Sequence, residues 1–505
     1  MSVQISKVVQ FSKSIYCTYI VFKLISDLSV EMTSEYNKNY FGTLPCEILE
    51  KIFLYITSSK QRKSENDREM SENTDLKSAM LVCNRWNEVI TTSSKLMQRF
   101  VLQIVDSSLD DLEYPIYIRR YQSCDIYKLS DENFDLCLRV LDIYRPYLKV
   151  ITFHGTFPEN RIKRISLLNA CKNVEELRFF NITGSSFTKN HTMTNLSSYD
   201  LPNLKSLSIV DRPQHKHSTL QIVDSFTLVN IESLTIYSKG FFNLPIYNEW
   251  QIRKLEVGKV FEIPGFIRFL HEQKPYLRDL SISFCSSILE YVMREMKDLT
   301  SLKLIIDFLP DHLITNNLIE SNTNLKNLTI KYSQLFVRTD FIQMMFKHYS
   351  KIESLTLDFY YGGWSFTTDD YNNIILKDLK HLSLNSNSNF VFLRGNFPNL
   401  QSLHVDYFRG SMIYTFPCVK TLERLSIKIS SFNISVLAEF YPNLKYLSIE
   451  AGTDLTQKEM YRIITKLPKL EVLKIKRYMW KINETPTDFL ASLNQNVLNV
   501  IFQEN

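Results

Sequence analysis

Pro202-Asn-Leu-Lys-Ser-Leu-Ser-Ile209 sets apolar residues at Leu204, Leu207 and Ile209, the spacing Leu-x-x-Leu-x-Ile. The same spacing begins again at Leu148, Val174, Ile231, Ile252, Leu277, Leu299, Leu325, Ile352, Leu379, Leu400, Leu422, Leu444 and Leu470, with a terminal copy at Val497. The mean interval is about 25 residues, and self-similarity at such a period marks a stack of repeats, each burying its apolar face only against its neighbours. Tyr121-Gln-Ser-Cys-Asp-Ile126 stands one further interval before Leu148 and reads as a degenerate first repeat.

Within a copy the side chains alternate as on a strand. Leu207 and Ile209 point to the core, and Ser206, Ser208 and Val210 point away from it. The intervening text has helical spacing, as in Phe266–Glu272, Val436–Phe440 and the residues Phe134, Leu138 and Leu141 ahead of Pro146. Parallel strands about 4.8 Å apart, each returning through a helix about 10 Å wide, predict a curved α/β solenoid with strands inside and helices outside. The shorter repeats, such as those starting at Ile231, Leu379, Leu400 and Leu422, leave less chain for a helix. This pattern resembles the leucine-rich repeat, and the resemblance covers roughly three quarters of the chain. The Asn or Cys that usually follows the strand survives only as Cys285 and Asn387.

Bulk composition narrows the function. Among 505 residues, 59 Lys and Arg face 54 Asp and Glu, and no basic block is interleaved with aromatics, so no nucleic-acid partner is expected. The eight cysteines are too widely spaced for paired zinc or redox motifs, which suits a reducing compartment. Eleven glycines supply neither GxGxxG nor GxxxxGK[ST], and HExxH and GxSxG are also missing, so neither cofactor, metal nor catalytic residue is expected. His215-Lys-His217 lacks a further ligand at recognisable spacing. Residues 1–41 read as a poorly ordered leader: the apolar patch Ile15–Phe22 is too short to cross a bilayer and no cleavage site follows it, so no membrane partner is expected.

Residues 42–98 read as a separate helical domain. In Leu44-Pro-Cys-Glu-Ile-Leu-Glu-Lys-Ile-Phe-Leu-Tyr-Ile56, Pro45 suits a first helical turn, and Ile48, Leu49, Ile52, Phe53 and Ile56 form a stripe wide enough for two neighbours. A charged loop, 57–74, carries no periodicity. A second helix starts near Asp75, with Leu76, Ala79, Met80, Cys83, Trp86 and Ile90 on one face. A helical cap on the end of the repeats would need only one apolar face.

This text resembles the F-box, in Leu44, Pro45, Glu47, Ile48, Leu49, Ile52 and Phe53 and then Val82, Cys83, Asn84, Arg85 and Trp86, with the inserted loop as its departure. Closing a longer loop costs only about 0.6 kcal/mol per doubling, so an outward bulge is expected there. The resemblance implies a non-catalytic substrate-recognition subunit of an SCF-type, cullin-RING ubiquitin ligase, cytoplasmic and/or nuclear. Leu44, Pro45, Ile48, Leu49, Ile52, Phe53, Val82 and Trp86 would then bind the Skp-type adaptor or shape the face that does. A repeat scaffold with no ligase link is the alternative, and a secreted or receptor-type repeat protein the third reading.

Residues 99–147 read as a linker plus the degenerate repeat, and 148–505 as the solenoid. Partner recognition then falls to outward residues. Their central column is rich in small hydroxyls; the next holds Asp358 and Asp406, and later Lys428 and Lys476. The loop after Asp358 gathers Tyr360, Tyr361 and Trp364 around Gly362-Gly363, an aromatic cluster of the kind that anchors partners. Asp358, Tyr360, Tyr361, Trp364, His404 and Asp406 are therefore the candidate substrate-binding residues.

Overall fold

The computed structural model describes residues 46–47, 49–50, 53–54, 84–97, 100–113, 120–127, 130, 132–155, 161–181, 199–210, 226–227, 231–237, 250–258, 260, 263–283, 285–306, 324–332, 351–359, 376–386, 397–408, 419–429, 435–451, 465–477 and 499–503. The chain divides into two compact units, 1–208 with 225–228, and 209–224 with 229–505.

In the first unit, helical residues of 46–54 and the helices Asn84–Thr92 and Ser94–Met97 close a core of Leu49, Phe53, Val89, Ile90, Leu96, Met97 and Phe100. Parallel strands β1 (Val101–Ile104), β2 (Ser123–Tyr127), β3 (Val150–His154) and β4 (Glu176–Phe180) follow, paired in chain order. The ladder thus begins one strand before the first repeat visible in the sequence, inside the stretch expected to be linker. β5 (Tyr199–Asp200) pairs with β7 (Phe226–Thr227), and β6 (Ser206–Val210) spans the division between the units.

Helices Phe134–Tyr144 and Arg161–Ala170 return the chain between β2, β3 and β4. Cys124, Cys137 and Cys171 are buried there, and burial pushes the Cys137 and Cys171 thiols up to about 12. They are small apolar core residues that stay protonated.

Among the described residues, the second unit is an open parallel ladder of twelve strands. β8 (Ser233–Tyr237), β9 (Lys254–Val257), β10 (Asp279–Ser283), β11 (Ser301–Ile306) and β12 (Asn327–Tyr332) are followed by β13 (Ser354–Phe359), β14 (His381–Ser386) and β15 (Ser402–Phe408). β16 (Arg424–Ile429), β17 (Tyr446–Ala451), β18 (Val472–Arg477) and β19 (Asn499–Gln503) complete it. Each strand pairs with the next in chain order. Register puts Leu280, Leu302, Leu328, Leu355 and Leu382 in one buried column and Ile282, Leu304, Ile330, Leu357 and Leu384 in the next, so the inward residues are those the alternation predicts.

Helices Ile263–Gln273, Ser286–Glu295 and Ser435–Phe440 return the chain. The short repeat starting at Leu277 holds a ten-residue helix because that helix begins three residues after β10 ends. Repeat length alone is therefore a poor guide to helix length. Gln273 is buried, and its Oε1 accepts the Ile252 N–H at 3.0 Å.

One junction recurs in both units. The residue after the first apolar position offers a carbonyl that accepts two N–H groups from the next repeat. Glu175 O takes those of Lys205 and Ser206 at 2.8 and 3.0 Å, and Glu353 O takes those of Lys380 and His381 at the same distances. A carbonyl has two lone pairs, so one oxygen satisfies two donors and fixes the register of two repeats. Ahead of it lies a tight turn, with Leu400 N donating to Phe397 O and Leu444 N to Tyr441 O, in which Pro398 and Pro442 hold the pre-set second position.

The residue after that proline position carries the cross-repeat side-chain bond. Asn203 donates to Lys172 O at 3.4 Å, Asn324 to Lys297 O at 3.2 Å, Asn399 to Lys377 O at 2.8 Å and Asn443 to Lys420 O at 2.6 Å. Thr421 does the same to Pro398 O at 3.1 Å. The asparagine sought after the strand thus has a counterpart before it. Cys285 occupies the cap position of the helix Ser286–Glu295 without a side-chain cap bond, and Asn387 lies outside the described residues.

At three of these junctions the carbonyl residue is a glutamate whose side chain meets a lysine of a neighbouring junction. Glu175 sits 3.0 Å from Lys149 and 3.8 Å from Lys205; Glu353 sits 3.2 Å from Lys326 and 2.8 Å from Lys380; Glu423 sits 2.8 Å from Lys445. These pairs are exposed and individually weak. Hydrogen bonds from Lys380 and Lys326, with their charge, hold the Glu353 carboxyl below its usual range.

Asn443→Ala should lower unfolding stability by about 1 kcal/mol, the worth of one hydrogen bond, and a urea midpoint equal to that of the parent would contradict the role assigned to it. Glu353 has a depressed folded pKa, so its contribution is present above the unfolded carboxyl value and fades as pH falls through the folded one. Glu353→Gln should therefore flatten the acid side of the melting-temperature profile and leave the region above pH 8, measured by calorimetry, parallel to the parent.

Candidate protein-binding surfaces

Among the described residues, the helical module and the outward strand faces hold the residues that the sequence marks for partner binding. In the module, Ser93 links the helices. Its hydroxyl donates to Glu50 Oε1 at 2.6 Å and accepts the Leu96 N–H at 3.2 Å, capping the helix Ser94–Met97. Leu49 and Phe53 are fully buried, so they belong to the packing of the module and not to its surface. Leu44, Pro45, Ile48, Ile52 and Val82 lie outside the described residues; Trp86 lies in the helix Asn84–Thr92, with its side chain outside them.

On the outward side of the first unit, register aligns Tyr127, His154 and Phe180 across β2, β3 and β4. Their rings stack, Tyr127 on His154 at 4.4 Å and 7°, and His154 on Phe180 at 5.4 Å and 13°. His154 Nε2 stands 3.8 Å from Asp125 Oδ2, and Arg178 Nε donates to Glu176 Oε1 at 2.8 Å. Thr152, aligned between Asp125 and Arg178 in the central row, is only 4% exposed. Each strand contributes a single ring to this row, so only the pairing register reveals it.

In the second unit, half-buried Glu256 on β9 gathers Tyr237 Oη, Ser281 Oγ at 3.5 Å and Lys303 Nζ at 3.0 Å from neighbouring strands. Burial pushes its carboxyl up, but the hydrogen bonds from Tyr237 and Lys303 outweigh this and keep it ionised below the usual range. Sequence reasoning missed this cluster, because its other members lie 19 to 47 positions from Glu256.

The central column then runs Thr329, Thr356, Ser383, His404. Asp358 pairs with Lys331 at 3.3 Å, and His404 Nε2 lies 3.4 Å from Asp406 Oδ1 on the same strand. Asp358 and Asp406 share one row with Asn385 between them, so the face holds them two strands apart. Tyr360, Tyr361 and Trp364 fall outside the described residues.

The register shifts between Val405 and Phe408 on β15, a bulge against β16. Beyond it the charge changes. Arg424, Ser426 and Lys428 on β16 align with Tyr446, Ser448 and Glu450 on β17, and Lys474 and Lys476 on β18 continue the last two rows. Lys428 meets Glu450 at 2.8 Å, and the Arg424 guanidinium lies 5.2 Å from the centre of the Tyr446 ring.

Among the described residues there is no group of His, Cys, Asp and Glu arranged to hold a metal ion, and no helix is long and apolar enough to cross a membrane.

Residues 41–103 match the F-box-like family model. No curated protein sequence matches the chain. Among solved structures, one titled "Crystal structure of Rad7 and Elc1 complex in yeast" aligns over 95% of this chain and 96% of that chain, at 12% identity and a TM-score of 0.33. The N-terminal module is thus F-box-like.

Ser93→Ala removes both the helix cap and the tie to Glu50, and should cost about 1 kcal/mol within the module. Amide exchange should accelerate over 84–97 and stay unchanged in β10 to β14; uniform protection in both regions would refute the link.

Proposed function

We propose that this chain is the non-catalytic substrate-recognition subunit of an SCF-type ubiquitin ligase. The F-box-like module binds a Skp-type adaptor, which connects the chain to a cullin-RING ligase in the cytoplasm and/or nucleus. The parallel strands, read as leucine-rich repeats, hold the substrate protein on their outward face. The observation that carries the reading is the F-box-like match over 41–103, in a chain whose remaining described residues build strand ladders with a period of about 25 residues.

On this reading the chain makes and breaks no bond. It contributes proximity, holding a substrate lysine near a ubiquitin-charged enzyme and so raising its effective concentration.

Co-expression with a Skp-type adaptor and capture through a tag on this chain tests the proposal. The parent should retain the adaptor, and Leu44→Ala combined with Pro45→Ala should reduce capture at least about tenfold, a change of 1.4 kcal/mol or more, with the repeats still folded by circular dichroism. Equal capture by the double variant would remove these residues from the adaptor face. No capture by the parent would leave the repeats as an interaction scaffold without a ligase link.

A further inference from the structure

The entrances to the strands of the second unit are not all built alike. At Glu353 and Glu423 the residue that offers the double carbonyl is a glutamate paired with lysine from a neighbouring repeat. Two positions ahead of Lys326, Gln401 and Lys445, an asparagine bonds back to the preceding repeat. The repeats starting at Ile252, Leu277 and Leu299 have neither device. Their turn position holds Gln251, Tyr276 and Asp298, and their carbonyl position holds Arg253, Arg278 and Thr300.

Other groups close these seams. The buried Gln273 accepts the Ile252 N–H at 3.0 Å, Thr300 Oγ1 donates to Arg278 O at 3.2 Å, and Lys274 meets Glu295 at 3.0 Å. Arg278 donates one N–H to Leu277 O at 3.0 Å, and the Arg253 side chain is exposed. Their positions are the ones that elsewhere bring Glu353 to 3.2 Å from Lys326 and 2.8 Å from Lys380. Here they set two arginines on adjoining junctions, about 5 Å apart. Among the described residues neither guanidinium reaches a carboxylate. Glu232, one junction earlier, makes no ion pair either, and Asp279 is aligned with Lys254 on the outward row. Like charges side by side cost stability, and this seam is tied without them.

We propose that Arg253, Arg278 and Tyr276 form a contact site for the carboxylates of an acidic loop on a protein partner. Charge complementarity carries it: two neighbouring guanidiniums without an acid offer a carboxylate two-pronged bonds from either side. Tyr276, in the turn that leads to Arg278, is 39% exposed and is the one large apolar side chain left exposed among the described residues. Tyrosine and arginine are two of the types most enriched where interfaces concentrate their binding energy. The site goes beyond the ligase reading, since it lies at the strand entrances and not on the outward face, and it holds equally for a repeat scaffold.

The test uses the full chain and a fluorescent Gly-Ser peptide with a core of four glutamates, followed by anisotropy. The acidic peptide should bind more tightly than an all Gly-Ser peptide of equal length and weaken as salt rises. Arg253→Gln and Arg278→Gln should each weaken it at least about tenfold, while Lys445→Gln, the same loss of charge at another junction, should not. Tyr276→Ser should weaken it at least about threefold and, being a change at an exposed turn, serves if an arginine variant fails to fold.

An acidic peptide held no better than Gly-Ser, or held equally by the parent and the three variants, overturns the proposal. So does a phosphoserine peptide that binds where the glutamate peptide does not, since the occupant would then be a phosphate group. Adaptor capture measured on the same proteins keeps the two readings apart. Lost peptide binding with intact capture assigns the site, whereas peptide binding without capture by the parent rejects the ligase link and leaves the site standing.

Discussion

One carbonyl per repeat, accepting two N–H groups from the next, is the bond on which the rest of the structure depends. It lies at the entrance to each strand, immediately after the first core residue, and fixes the register before the strand begins. A slip of one residue would turn Leu355 and Leu357 outward and Thr356 inward. Because the junction prevents that slip, leucines stack on leucines, and outward residues from distant parts of the chain come to stand side by side.

Function follows from the separation this enforces. The inward columns are almost uniformly Leu, Ile and Val and carry no information about a partner. The outward rows are nearly free of packing demands and differ from strand to strand: stacked rings on β2 to β4, a cluster around a half-buried carboxylate on β8 to β11, cations on β16 to β18. The F-box-like module is built on the opposite plan. Its core gathers Phe53 and Ile90 from helices, with Tyr121 packed against it, and Ser93 ties those helices together.

Much of the fold was legible in the text, because Leu-x-x-Leu-x-Ile records both strand alternation and repeat period. The beginning of the ladder was less so: Val101–Ile104 lacks the leading leucine, and its pairing with Ser123–Tyr127 establishes it as a strand. The asparagine ladder was sought on the wrong side of the strand, since a turn asparagine such as Asn443 looks the same whether it serves its own turn or the preceding repeat. Site features were the least legible. Tyr127, His154 and Phe180 become a row only through register, and the helical period does not say that Leu49 and Phe53 are fully buried.

The turn asparagine has a consequence for how such a chain can change over time. Asn399 and Asn443 each bind a carbonyl inside the equivalent turn of the preceding repeat, at Lys377 and Lys420, so each of these couplings is complete within adjoining turns, whatever runs between them. A segment cut at two equivalent turns carries its own donor at one end and its own acceptor at the other. Whole repeats can therefore be duplicated, lost or exchanged, and connecting segments lengthened, with each seam chemically the same as before. The chain behaves as a text whose punctuation is constant, so that its clauses can be rearranged.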